Sequence, residues 1–210
     1  MRYERKYRVE SINPQLVEQV VRMHPASFRK AYPDRKVNNI YFDTASFSTF
    51  YENQSGIANR QKHRVRWYGE FMQIIQNPIL ETKVKENFLG YKKSQPLPHM
   101  ALSEMDQIKK LVNQNLEDTN ELEPVLINAY RRSYWVTPNQ LIRLTVDWEM
   151  QFHQWFKQPR FSQYQLQDTA VVVELKYPKN QEAVASHIMQ YLPFRITKNS
   201  KYVTGMSLLT

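Results

Sequence analysis

Lys62-His63-Arg64-Val65-Arg66-Trp67-Tyr68 sets Arg64 and Arg66 two residues apart, with Val65 between them and Trp67 beyond. Side chains two apart on a strand share one face, so this stretch reads as a strand with a cationic row on one side and bulky residues on the other. The same beat returns at Glu4/Lys6, Glu81/Lys83/Lys85, Arg143/Thr145/Asp147 and Glu174/Lys176. Each row is mostly cationic with an occasional carboxylate. If these strands share one sheet, the rows merge into a surface suited to a long polyanion with bound metal.

Working outward, the spacing predicts strands near 2–10, 37–43, 58–68, 79–85, 126–136, 141–152 and 170–177. A helix is expected at 14–24, with Asn13 as N-cap and Pro14 at the first helical position. Further helices are expected from Ser103/Asp106 to about Asn115, at Asn180–Tyr191 and at Ser200–Leu209, with a short helix or turn at Phe47–Gln54 and a turn at Asn87–Gly90. Strands dominate and helices sit between them or at the ends. The expected class is α+β on a largely antiparallel sheet.

Composition bounds the partner. The 210 residues read as a single domain, 1–210, with 41% hydrophobic content for a core. Lys and Arg number 29 against 20 Asp and Glu, a net +9, which calls for an anionic partner without choosing one. There is no cysteine, which excludes disulfides and thiolate metal sites, and only four glycines, which argues against a Gly-rich phosphate loop. The N-terminal residues enter strand-like sequence at once and no stretch reaches the roughly 18 apolar residues of a membrane span, so a soluble cytoplasmic protein is expected. The five histidines lack metal-ligand spacing, and no G-x-S-x-G elbow is present. Trp148, Trp155 and Phe156 read as core or rim contacts.

Alternating charge by itself fits a solvated outer sheet face as well as a functional one. Lone carboxylates within basic rows favour the second, because a nucleic-acid groove gains nothing from acids placed where phosphates lie. Hard divalent cations, in contrast, take carboxylate and phosphate oxygens together while Arg and Lys neutralise the remaining charge.

Taken in order, Tyr3-Glu4-Arg5-Lys6-Tyr7, Tyr41-Phe42-Asp43-Thr44, Phe50-Tyr51-Glu52-Asn53 and Arg64-Val65-Arg66-Trp67-Tyr68-Gly69 resemble the catalytic domain of the vacuolar transporter chaperone (VTC) family. That family lies within the CYTH and triphosphate tunnel metalloenzymes. The resemblance continues through Glu81-Thr82-Lys83-Val84-Lys85, Glu123-Pro124-Val125, Tyr130-Arg131-Arg132 and Arg143-Leu144-Thr145-Val146-Asp147 to Val173-Glu174-Leu175-Lys176-Tyr177 and Lys198-Asn199-Ser200-Lys201-Tyr202. It implies a closed eight-stranded antiparallel β tunnel with flanking helices. Such a tunnel would bind ATP, inorganic triphosphate or polyphosphate with Mn²⁺ or Mg²⁺.

By the same match, Lys6, Arg64, Arg66, Lys83, Arg131 and Arg143 are the expected catalytic phosphate contacts. Lys198 and Lys201 are further phosphate-binding residues, and Lys85 joins them by spacing. Glu174 is the expected metal ligand, with Glu4 and Glu81 as second candidates that could instead be salt-bridge partners of tunnel lysines. Lys176 and Asp147 are open between site and structure. The family's VTC branch extends polyphosphate from ATP; hydrolysis of triphosphate or polyphosphate, and non-catalytic polyphosphate binding, are the alternatives. No specific nucleic acid is expected, and export of a product would need a membrane partner protein. The triphosphatase motif E-x-E-x-K departs here to Arg2-Tyr3-Glu4-Arg5-Lys6, one carboxylate fewer, which leans toward polymer synthesis or binding. Removing Arg64 or Arg66 is expected to abolish activity with little loss of stability, by relieving like-charge repulsion.

Overall fold

Asn13 starts the first helix as its spacing predicts: its side chain accepts from the Gln15 N–H, and Pro14 occupies the first turn. The computed structural model describes residues 2–71, 74–86, 89–116, 120–154 and 165–209. Among them run β1 (Arg2–Val9), α1 (Pro14–Arg22), β2 (Arg29–Asp43), α2 (Ser48–Gln54), β3 (Arg60–Tyr68), β4 (Ile79–Glu86) and β5 (Leu89–Pro96). They are followed by α3 (Met105–Asn115), β6 (Glu123–Val136), β7 (Arg143–Gln154), β8 (Gln165–Asp168), β9 (Val171–Pro178), α4 (Glu182–Gln190) and α5 (Lys201–Leu209).

The strands pair in the order β1-β9-β7-β6-β2-β3-β4-β5, with β8 beside β7. The β1–β9, β9–β7, β2–β3, β3–β4 and β4–β5 ladders are antiparallel. This is an α+β fold on a largely antiparallel sheet with flanking helices, as the alternation predicts. Three departures have local causes. β2 begins at Arg29 rather than Val37; its first seven residues are all exposed and carry no apolar beat that would mark them as strand. β5 and β8 were not expected, since Leu-Gly-Tyr-Lys-Lys-Ser-Gln-Pro and Gln-Leu-Gln-Asp lack strand alternation. The expected Ser103 cap is replaced by Glu104, whose carboxylate turns back to the Ala101 N–H. Residues 87 and 88 of the expected turn, with Trp155 and Phe156, lie outside the described residues.

The chain divides into two compact units, and β2, β6, β7 and β8 contribute to both. The first holds Met1–Arg35, Tyr130–Met150 and Gln167–Asn199. Its core gathers Val171, Val173, Leu175 and Tyr177 of β9, Leu144 and Val146 of β7 and Tyr7 of β1, against Val17 and Val21 of α1 and Ala185 and Ile188 of α4. Trp148 packs partly buried against this core. The outer edge of β1 is taken by the segment before α5: Tyr7 bridges Ile196 and the Thr197 N–H donates to the Lys6 carbonyl.

The second unit holds Lys36–Ala129, Gln151–Leu166 and Ser200–Thr210. Ile40, Phe42, Val65, Trp67 and Leu80 turn their strand face to Met105, Ile108 and Val112 of α3. On the other side α5 comes so close that a Cβ on Gly205 would lie 2.5 Å from Phe152 and 2.6 Å from Leu126. Asp43 ties three elements here. Its carboxylate accepts from the Thr49 and Phe50 N–H groups at the start of α2 and from the Tyr202 hydroxyl of α5. No helix among the described residues is long and apolar enough to cross a membrane.

Candidate functional site

With the odd residues of β9 and the even ones of β7 in the core, the opposite parity must present charge, and it does so in each unit. In the first unit β1 and β9 set Lys6 opposite Glu174 and Glu4 opposite Lys176. Lys6 Nζ lies 3.4 Å from Glu174 and 3.6 Å from Glu4; Lys176 Nζ lies 2.9 Å and 3.6 Å from the same two carboxylates. Lys6 also donates to the Asn199 carbonyl at 3.0 Å. β7 adds Arg143, opposite Lys176, and Asp147, which is fully buried. β6 adds Arg132, donating from Nε and Nη2 to Asp147 at 2.5 and 2.7 Å and approaching Glu174 at 3.7 Å. Burial opposes the Arg132 charge, but the facing carboxylates more than offset this and hold its pKa well above the ordinary value. This row is nearly balanced: Lys6, Lys176, Arg132 and Arg143 face Glu4, Glu174 and Asp147.

The second unit is different. Arg64, Arg66 and Lys62 of β3 share a face with Glu81, Lys83 and Lys85 of β4 and Lys92 of β5. With Arg60, seven cations on this face of β3–β5 accompany one carboxylate, Glu81, among the described residues. Glu81 Oε2 takes Arg64 at 2.6 Å and Arg66 at 3.6 Å, while Oε1 takes Lys92 at 2.6 Å. Burial pushes the Glu81 carboxyl up, but Arg64, Arg66 and Lys92 outweigh it and lower its pKa to about 2. Around this centre the register sets like charges opposite each other: Arg60 to Lys85, Lys62 to Lys83, and Lys83 to Lys92. Such pairs each cost a fraction of a kcal/mol, a cost an anionic ligand would reverse.

A buried relay fixes Arg66. Its Nε donates to Asn39 Oδ1 at 2.9 Å, Asn39 Nδ2 donates to Asn128 at 3.1 Å, and Asn128 Nδ2 donates to the Gln151 carbonyl at 3.3 Å. Both asparagines are fully buried, so Arg66 is held on a satisfied polar network. Arg64 also reaches the Tyr41 hydroxyl at 3.4 Å. Lys62 Nζ donates to the Ser200 hydroxyl at 2.9 Å, just before α5.

The VTC domain family model matches residues 1–210, the whole length of the sequence. The chain belongs to the VTC domain family. No curated protein matches it. Among solved structures, this VTC domain is similar to a candidate adenylyl cyclase from Hippeastrum described as having a dominant triphosphatase activity (13% identity, TM-score 0.53, covering 99% of this chain and 96% of that one). It is also similar to a candidate adenylate cyclase from Vibrio parahaemolyticus (13% identity, TM-score 0.56, 98% and 97% covered) and one from Bacillus halodurans (14% identity, TM-score 0.51, 94% and 93% covered). At these identities the likeness establishes the shared fold.

The VTC domain brings most sequence-predicted residues into these two rows: Glu4, Lys6, Arg143 and Glu174 in one, Arg64, Arg66, Glu81, Lys83 and Lys85 in the other. Arg131 stands apart. It is exposed, two residues from the buried Ala129 and so of the same strand parity, and donates to Glu149 at 2.8 Å. Its neighbour Arg132 has the parity of the row. Lys198 is exposed in the segment beside β1, and Lys201 is nearly buried at the start of α5. Lys62 and Lys92 were not singled out; Lys62 continues the two-residue beat of Arg64 and Arg66 and could have been. Removal of Arg64 also reads differently now, because it would take a partner from a buried carboxylate rather than simply relieve repulsion.

Among the described residues no group of three or more His, Asp or Glu could hold a metal ion. Glu4 and Glu174 also face Lys6 and Lys176, but at the longer distances of 2.9–3.6 Å, and they fit a magnesium-type ion, which is held by one or two carboxylates and takes its remaining ligands from phosphate and water. Glu81 does not fit, since both of its oxygens are committed to cations at 2.6 Å.

Proposed function

We propose that this VTC domain is a polyphosphate polymerase that transfers the terminal phosphate of ATP to a growing polyphosphate chain. The observation that carries the reading is the second unit's row, where among the described residues of β3–β5 seven cations, several in like-charge register, accompany a single committed carboxylate. A phosphate chain is the ligand whose charge repeats closely enough to satisfy such a row. Closure of the eight strands into a tunnel, expected of the family, belongs to this proposal.

Phosphoryl transfer asks the protein mainly for positioning and charge neutralisation. A terminal oxygen of the polyphosphate chain attacks the γ-phosphorus of ATP, the bond from that phosphorus to the β–γ bridging oxygen breaks, and ADP leaves with the electron pair. Arg64 and Arg66 offer planar donors to the non-bridging oxygens, and Lys62, Lys83, Lys85 and Lys92 supply point charges. In the first unit Lys6, Arg143 and Lys176 would neutralise phosphate, with Arg132 held on Asp147. Mn²⁺ or Mg²⁺ held by Glu174 and Glu4 would neutralise charge on the phosphate oxygens.

Hydrolysis of triphosphate is the second reading, favoured by the activity described for the Hippeastrum protein. It differs in needing a base to take a proton from water, whereas the polyphosphate oxygen is already anionic. Against the cost of burial, Arg64, Arg66 and Lys92 hold the Glu81 pKa at about 2, too weak a base for that task at neutral pH, so hydrolysis would have to draw its base from Glu4 or Glu174. A cytoplasmic location, with a membrane partner for export, completes the proposal. The deciding experiment is incubation of the full chain with ATP and Mn²⁺ or Mg²⁺, with products resolved on a gel and phosphate release measured in parallel.

A further inference from the structure

At the end of the first unit's row the charged side chains give way to tyrosine and arginine. Tyr32 of β2 is 55% exposed and takes no part in the core. Its ring stands edge-on to Tyr134 of β6, with centroids 5.7 Å apart and an interplanar angle of 89°. The Arg35 guanidinium serves both rings, 5.2 Å from Tyr32 and 5.7 Å from Tyr134. Arg132 continues the ladder, 6.0 Å from Tyr134 and 5.2 Å from Tyr130. Because Arg132 is the residue bonded to Asp147 and approaching Glu174, aromatic platform and charged row meet in one side chain.

A solvated strand end has no need of this. The first seven residues of β2 are all exposed, and polar side chains would serve there at no hydrophobic cost. Tyrosine rings and guanidinium planes are the groups on which flat π systems stack, and they keep their shape at low entropic cost. A ligand that joins a flat ring to a chain of phosphates matches a platform continuous with a cationic row.

We propose that Tyr32, Arg35 and Tyr134 form a nucleobase platform for the nucleoside triphosphate, resting on the phosphate-binding role proposed above. The phosphate chain lies toward Arg132 and Lys6, and the base stacks on the tyrosine and arginine planes. Stacking tolerates any base and strengthens with ring size, so purine triphosphates bind ahead of pyrimidine triphosphates, with little distinction between adenine and guanine. The platform also separates donor from acceptor: a nucleotide uses it and inorganic polyphosphate does not.

Calorimetry of the full chain with Mg²⁺, titrating ATP and inorganic tripolyphosphate separately, tests this. Tyr32→Ala changes an exposed residue and should weaken ATP roughly tenfold, within the range of one lost base stack. It should leave tripolyphosphate affinity unchanged, and Tyr32→Phe should restore ATP binding. Equal weakening of both ligands, or unchanged ATP affinity in Tyr32→Ala, would overturn the platform. Wild-type protein that binds tripolyphosphate as tightly as ATP overturns this inference alone. Wild-type protein that binds neither overturns the functional reading and the platform together.

Discussion

Arg132 and Asp147 form a two-point pair across β6 and β7, Nε to Oδ1 at 2.5 Å and Nη2 to Oδ2 at 2.7 Å, with Asp147 fully buried. Breaking one side of a buried pair leaves an uncompensated charge. Asp147→Ala should therefore cost about 3–5 kcal/mol, read as a fall in the urea midpoint at unchanged slope. Arg132→Lys should recover little, because an ammonium cannot span both oxygens. A loss below about 1 kcal/mol for Asp147→Ala would show that the pair is not structurally coupled.

Glu81 should give the fold an acid-sensitive segment. Its folded pKa lies near 2, below the unfolded carboxyl value, so its stabilisation is fully present above about pH 4.5 and is lost as pH falls toward 2. Over that window the loss attributable to this group is about 3 kcal/mol. Urea melts at stepped pH should show it, and Glu81→Gln should flatten the curve over the same range. An unchanged acid slope in Glu81→Gln would place the sensitivity elsewhere.

Lys83 faces Lys62 on one side and Lys92 on the other. Lys83→Ala should weaken tripolyphosphate binding in calorimetry while the protein stays folded, because it removes a cation from the centre of the row. Unchanged tripolyphosphate affinity would place Lys83 outside the phosphate site.

Gly205→Ala tests the seat of α5. The added Cβ would meet Phe152 and Leu126 at 2.5–2.6 Å, well inside contact distance, although alanine is the better helix former. Overpacking should win, with a loss of about 1–3 kcal/mol on thermal melting. A stabilised variant would mean that α5 shifts freely at this point.

Much of this was readable before the structure. In β9 every second residue is apolar, and Val65, Trp67, Leu80 and Val84 keep that beat over part of β3 and β4, so these faces followed from parity, and Asn13-Pro14 announced α1. Arg131 and Arg132 show the limit. Adjacent arginines have opposite parity, and only the packing of Ala129 outside and Asp147 within the row decides between them. The exposed start of β2 and edge strand β5 carry no apolar beat, so their pairing comes from register rather than burial. That register also places Lys92 on Glu81, eleven residues away, and Asn39 against Asn128, neither of which periodicity encodes.

The central claim is chain extension at the arginine row. Full-length protein incubated with ATP and Mn²⁺ or Mg²⁺ should yield a ladder of polyphosphate on a gel with matching ADP release, and Arg64→Ala or Arg66→Ala should yield none while remaining folded. Phosphate release from ATP or tripolyphosphate with no ladder under either metal would contradict the account.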